Sequence, residues 1–252
     1  MKKDLISIIT ASYNSENFIR STYYSIVSQS YTNWEWLVTD DCSSDGSLDI
    51  LKEIQVSDSR VKVFQNLTNL GAARARNKSL SQARGRFVAF IDADDLWESD
   101  KLLKQTNFML RGSVGISFTA YRVINQQGHY QHLSIDLLAP CTVNYRELLV
   151  KKATFGCSTV MIDKFVIGNV IMPDLRTGQD YATWLSILKK GFTAHLLREP
   201  LTSYRIVKGS ISRNKVKKAI RQWRIYRDVE NLSLLDSLYC FTNYAYRAIF
   251  RS

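Results

Sequence analysis

Strand-like and helix-like segments alternate four times in the first 95 residues, and that rhythm constrains the fold more than any other feature. Residues 5–10, 34–39, 61–64 and 86–91 are short runs rich in β-branched and aromatic side chains. Between them, residues 16–30, 48–55 and 72–83 carry helical spacing, with Ile19, Tyr23, Ile26 and Val27 as the apolar positions of the first. Strands that alternate with helices predict an α/β domain with a parallel sheet covered on both faces. Ligands of such sheets bind beyond the carboxyl ends of the strands. Three of the strands end in polar clusters, Ala11–Asn14, Asp40–Asp41 and Asp92–Asp95, which are expected to converge on one crevice.

The rhythm loosens after residue 98. Helices are expected over 99–110, 144–151 and 179–190, the last ended by Gly191. Strands are expected over 116–123 and 158–162, with a hairpin turn at Asn125–Gly128. The 252 residues suit one large domain with an appendage. The expected organisation is a nucleotide-sugar-binding half at 1–98, an acceptor-binding and catalytic-base half at 99–212, and a basic, aromatic helical tail at 213–252. The first two of those names rest on the resemblance described below. Four scattered cysteines lack C-x-x-C spacing, and with three histidines they predict neither a zinc site nor a disulfide framework. Reduced thiols, the absence of a signal-peptide core and the absence of an 18-residue apolar run point to a cytoplasmic protein without a membrane span.

The strongest chemical signal is Asp92-Ala93-Asp94-Asp95 at the end of the fourth strand. Carboxylates this close repel one another, and a divalent cation relieves the repulsion. Hard oxygen ligands suit Mg²⁺ or Mn²⁺ bridging to substrate phosphates. The plainer reading, an acidic surface turn capping the helix that follows, stands beside it. Tyr13 after the first strand and Asp40–Asp41 after the second offer a ring and carboxylates to a nucleobase. The G-x-G-x-x-G of dinucleotide enzymes and the P-loop lysine motif are both absent.

The chain resembles the family 2 inverting glycosyltransferases. The likeness runs through Ile8–Asn14, Ser28–Glu35, Asp40–Ser47, Asn69–Gly71 with Ala75–Asn77, and Phe90–Asp95. It continues through Thr177–Leu185, Tyr204-Arg205 and Ser210–Ser212, and is similar to the teichuronic-acid, capsule and O-antigen type. The resemblance implies a GT-A fold and a nucleotide-diphosphate-sugar donor, most often a UDP-sugar. It places Ala11, Tyr13 and Asp41 around the base, Asp92 by the ribose or diphosphate, and Asp94 on Mn²⁺ or Mg²⁺. It makes Asp180 the catalytic base, with Gln179 where a Glu is commoner. An ionised carboxylate is already the form that takes a proton from an acceptor hydroxyl. Outside the family context, Asp180 reads as a cap of the 181–190 helix.

Arg205, with Ser210 or Ser212, is a candidate for the diphosphate, and either Arg74 or Arg76 for the donor. Trp97, Tyr181 and Trp184 are candidates for an acceptor-stacking wall, although Trp184 at mid-helix reads equally as core. From Arg198 to Arg227 ten Lys or Arg face one acid, Glu199, so this segment carries nine of the chain's eleven net positive charges. A basic amphipathic helix of this kind lies on anionic lipid, which suits a polyprenyl-linked glycan acceptor at the inner face of a bacterial membrane. The competing reading is a non-catalytic basic module that binds nucleic acid or membrane. It lacks any nucleic-acid-binding motif, and the sheet crevice is acidic, so no nucleic-acid partner is expected.

Overall fold

The β-branched run at the start of the chain forms β1 (Ile6–Ser12), and the next elements follow the expected order. They are α1 (Ile19–Val27), β2 (Trp34–Asp40), α2 (Ser47–Ser57), β3 (Val61–Gln65), α3 (Ala72–Leu80) and β4 (Phe87–Phe90). The computed structural model describes residues 4–207 and 215–250. β3, β2, β1 and β4 lie side by side and parallel, as the alternation requires. Period-two alternation splits their side chains between two cores. Ile8, Trp36, Val38 and Ala89 enter one, and Ile9, Leu37, Val88 and Phe90 the other.

β5 (Leu96–Trp97) follows the acidic turn, and α4 (Lys101–Gly112) leads to β6 (Ile116–Ile124). The chain then runs through β7 (Tyr130–Ile135), β8 (Thr142–Val143), α5 (Tyr145–Leu149), β9 (Met161–Asp163), α6 (Lys164–Ile167), α7 (Gln179–Lys189) and β10 (Ala194–Arg205). Asn144 and Glu147 close a capping box on α5. β9 inserts antiparallel between β4 and β6, so both halves of the chain share one sheet in the order β3-β2-β1-β4-β9-β6-β10-β5. Two expectations need correction. The 158–162 strand divides into a 3₁₀ turn, Cys157–Thr159, and the shorter β9. β10 was not foreseen, because Glu199-Pro200 interrupts its pattern and two register shifts carry the strand past the proline.

The tail forms α8 (Lys215–Arg224), a π turn at Ile225–Val229 and α9 (Leu234–Phe250). Ile225, Tyr226 and Cys240 pack into the core of the second half. The tail is therefore partly docked, while Leu235, Leu238 and Tyr239 remain exposed. No helix among the described residues is long and apolar enough to cross a membrane.

Glu35 near the start of β2 fastens the amino-terminal end of these strands, opposite the crevice. Its buried carboxylate accepts bonds from Ser7 Oγ at 2.8 Å, Arg84 N at 2.9 Å and Arg84 Nε at 3.0 Å. Burial alone would raise its pKa, but the bonds from Arg84 and Ser7 outweigh burial and hold it below the usual value. A depressed native pKa gives stability that is present above the unfolded value and lost as pH falls through the folded one. Glu35→Gln is expected to lower the urea midpoint at neutral pH, and the gap to wild type should close as pH drops below about 4.5, the ordinary glutamate value. A gap that stays constant down to about pH 3 would refute this linkage.

Candidate active site

The loops after β1 and β2 are fastened to each other at the carboxyl edge of the sheet. Asn14 takes a left-handed backbone (φ 49°), which its short polar side chain tolerates. Its Oδ1 accepts Ser44 N at 2.9 Å, and its own N–H donates to Ser43 Oγ at 3.0 Å. Ser15 N donates to Ser47 Oγ at 2.7 Å, and Asp41 N to Ser12 O at 2.8 Å. Tyr13 stands in this loop and is 51% exposed. Ala11 sits on β1 beside Thr39 of β2.

Asp40 turns inward and accepts Ser43 Oγ and N at 2.5 and 3.0 Å. Asp41 is 2% exposed and organises the loop after β3. Its carboxylate accepts Asn66 Nδ2 at 2.8 Å, Leu70 N at 2.9 Å and Gly71 N at 2.7 Å. Gly71 (φ 91°) supplies the backbone that turns this loop into α3. A carboxylate has about four lone-pair sites, so these three donors leave Asp41 one more.

The acidic turn after β4 is held from three sides. Arg76 on α3 is 5% exposed and donates NH2 to Asp92 Oδ1 at 2.5 Å. Ser158 Oγ accepts Asp92 N at 2.9 Å and donates to Asp95 Oδ2 at 2.5 Å. Arg205 at the end of β10 donates its backbone N to Asp95 Oδ1 at 2.9 Å and Nε to Asp94 O at 2.7 Å. Its NH1 reaches Gln126 O at 3.0 Å in the β6–β7 turn. Asp95 is thus a buried anchor. Burial, then Asp94 and Asp92, push its pKa well up. Burial and the neighbouring Asp92 push Asp94 up to about 6.

Asp180 lies in the first turn of α7, entered through Gly178 in a left-handed conformation (φ 79°). Arg76 feels both Asp92 and Asp180. Burial works against its charge, and the adjoining Cys157 together with these two carboxylates raises its pKa nonetheless. Nε and NH1 of Arg76 are buried and have no hydrogen-bond partner among the described residues, so the guanidinium acts on the crevice chiefly through its charge. Arg74 turns outward to Asp174 at 2.5 Å, while Arg76 is buried against Asp92.

The residues fit a divalent cation that is shared with a substrate. No group of three potential protein ligands occurs among the described residues. Mg²⁺ and Mn²⁺ of this class commonly take one or two carboxylates and complete their shell with phosphate oxygens and water. Burial and the neighbouring Asp92 disfavour a charged Asp94, and a bound cation would offset that.

The acceptor wall is corrected. Trp184 is 0% exposed and packs edge-on against Phe90 at 5.3 Å. Trp97 is buried, donates Nε1 to Ser158 O at 2.8 Å, and has Lys101 Nζ 3.9 Å from its ring centroid. Tyr181 is buried, donates its OH to Leu148 O at 3.1 Å and has Lys151 Nζ over its ring. Stacking on a sugar needs an open ring face, and these rings serve the core. Ser210 and Ser212 lie outside the described residues. Ser158 and Asn66 escaped the sequence reading. Ser158 fell inside an expected strand, and its only local signal is the small-residue run Gly156-Cys157-Ser158-Thr159.

The family model for glycosyl transferase family 2 matches residues 7–170. The putative teichuronic acid biosynthesis glycosyltransferase TuaG of Bacillus subtilis (strain 168) is 46% identical over 247 residues, covering 98% of this chain and 97% of its own. An Escherichia coli UDP-Glc:alpha-D-GlcNAc-diphosphoundecaprenol beta-1,3-glucosyltransferase, WfgD, is 39% identical over 242 residues, 95% of this chain and 92% of its own. Among solved structures, the mannosyltransferase PcManGT from Pyrobaculum calidifontis with GDP-Man and Mn²⁺ aligns with a TM-score of 0.73 at 17% identity, over 97% of this chain and 70% of the other. TarS 1–349 of S. aureus with UDP aligns at 0.70 and 20% identity, over 96% and 71%. The fold is GT-A, and the kinship sets aside the non-catalytic reading. With matched residues spanning most of the sheet and full-length relatives among polysaccharide-building enzymes, the chain belongs to glycosyl transferase family 2.

Proposed function

We propose that the protein transfers a hexose-type sugar from a UDP-sugar to a lipid-linked bacterial surface glycan in one inverting displacement, with Asp180 as base. The observation that carries this reading is Arg76, whose buried guanidinium is shared electrostatically between Asp92 and Asp180. That link supports a reading in which the donor-side carboxylates and the base share one crevice. In the proposed arrangement Tyr13 stacks on the uracil, and the remaining lone pair of Asp41 accepts a base N–H. Asp92 faces the ribose or diphosphate, and the positive charge of Arg76 offsets that of the donor phosphates. Arg205 holds the Asp94 carbonyl, so it positions the acidic turn and lies near the diphosphate. Asp180 accepts the proton of the acceptor hydroxyl as that oxygen attacks C1. Asp94 would hold Mn²⁺ or Mg²⁺, which when bound offsets the charge of the leaving nucleoside diphosphate. The acceptor and donor chemistries are those in the name of the WfgD relative, and UDP also occupies the TarS neighbour. A peripheral place at the inner face of the cell membrane follows from the basic tail and a lipid-linked acceptor.

The test is nucleotide release from UDP-, GDP- and dTDP-sugars in the presence of a prenyl-diphosphate-linked acceptor sugar. Release from a UDP-sugar, lost with chelator and restored by Mn²⁺ or Mg²⁺, is the expected result. Chelator-insensitive release, preference for a GDP- or dTDP-sugar, or no release from any donor would count against it.

A further inference from the structure

Beside the base-bearing helix lies a cavity of about 340 Å³, enclosed by Leu175–Thr177 on one side and α8 with the π turn on the other. Four cations line it, Arg176, Lys217, Arg221 and Arg224, against a single acid, Asp228. α8 itself carries five Lys or Arg and no acid, so its charge is not offset within the helix. Nε of Arg221 is buried and has no hydrogen-bond partner among the described residues. The tail reaches this place because residue 178 is glycine. A Cβ there would stand 2.9 Å from Ile225 Cδ1 and 3.0 Å from Arg221 Cδ. The same glycine precedes α7 without any side-chain cap, so the positive end of an 11-residue helix adds to the field. Arg176 joins the cavity to the donor side, with NH1 donating to Asn69 Oδ1 at 2.7 Å.

One wall is apolar. Leu175 and Ile225 line the cavity, and Ile220 at its edge is 50% exposed. Val216, one helical turn earlier on the same face, is also exposed and extends that strip outward. Cations below and an apolar ramp leading out match an anion that carries a hydrocarbon chain. In the transfer reading the donor diphosphate lies by Asp92 and Asp94, neither of which lines this cavity.

We propose that this cavity seats the diphosphate of a prenyl-diphosphate-linked acceptor, with the first prenyl units along Ile220 and Val216. The assignment rests on the transfer reading above. It sets the acceptor sugar between the cavity and Asp180, two residues beyond Gly178.

Calorimetric titration with farnesyl diphosphate, in saturating UDP and Mg²⁺ to block the donor site, tests the assignment without turnover. Wild type and Asp180→Asn should bind it alike. Arg221→Gln should bind it at least about tenfold more weakly, the scale of one lost charge-assisted hydrogen bond. Arg224→Glu, a change at an exposed position that the fold tolerates, should weaken it as much. Farnesol and inorganic pyrophosphate should each bind more weakly than farnesyl diphosphate. Unchanged affinity in both variants would overturn the proposal. So would pyrophosphate binding as tightly as farnesyl diphosphate, which would make this a plain phosphate site. Loss of binding to phosphatidylglycerol vesicles without loss of farnesyl diphosphate binding would make it a membrane contact and overturn it as well. Because the readout is binding, an enzyme inactive on every donor would count against the transfer reading alone.

Discussion

Asp180→Asn should lower sugar transfer by about 10²–10⁴-fold, the range removed with a general base, while UDP affinity stays near that of wild type. The substitution keeps the shape of the side chain and removes its capacity to accept a proton. It also removes an anion from the first turn of α7, worth about 0.3–1 kcal/mol at an N-terminus, so the fold should survive. In the proposed arrangement donor binding depends on Tyr13, Asp41 and the acidic turn, which belong to other elements. Initial rates with saturating donor and acceptor, set beside calorimetry with UDP, separate the two effects. Activity within about tenfold of wild type would remove Asp180 from the role of base.

Arg76→Met should destabilise the protein by about 3 kcal/mol, the lower end of the cost of unpairing a buried ion pair, and abolish measurable transfer. The lower end applies because Asp92 retains 29% exposure while Arg76 is almost wholly buried. Without the guanidinium, Asp92 loses its ion-pair partner, and Asp94 and Asp180 lose a nearby positive charge. Two of its nitrogens lack partners, so the position serves the charge of the crevice more than its hydrogen bonds. The double variant Arg76→Met/Asp92→Asn should therefore recover much of the lost stability in urea denaturation, yet remain inactive. If the two substitutions simply add in stability, the pair is not coupled.

The half of the site carried by β1–β4 was legible because β1, β2 and β4 bury both faces and stop at polar clusters. Trp34–Asp40 and the neighbouring strands fall within two residues of their expected ends. The convergence of Tyr13, Asp41 and Asp92 at one edge follows from parallel strands alone. β10 was hidden by Pro200, and the polar β7 has no alternation to read. The aromatic residues misled for a different reason. Helical or strand-end spacing marks Trp97, Tyr181 and Trp184 as facing one way, and it cannot say whether that way is core or crevice. Ser158 and Gly178 act through contacts made by residues far along the chain, Asp95 and Arg221, and no local pattern announces those contacts. Asp41 was foreseen for a ligand, and the fold first uses it to hold Asn66, Leu70 and Gly71.

Single displacement by a hydroxyl that Asp180 deprotonates makes a stereochemical demand on the product. The most direct measurement is the anomeric proton coupling in the NMR spectrum of the glycan formed from an α-linked UDP-sugar. The account predicts a β-glycoside, and an α-glycoside would contradict it.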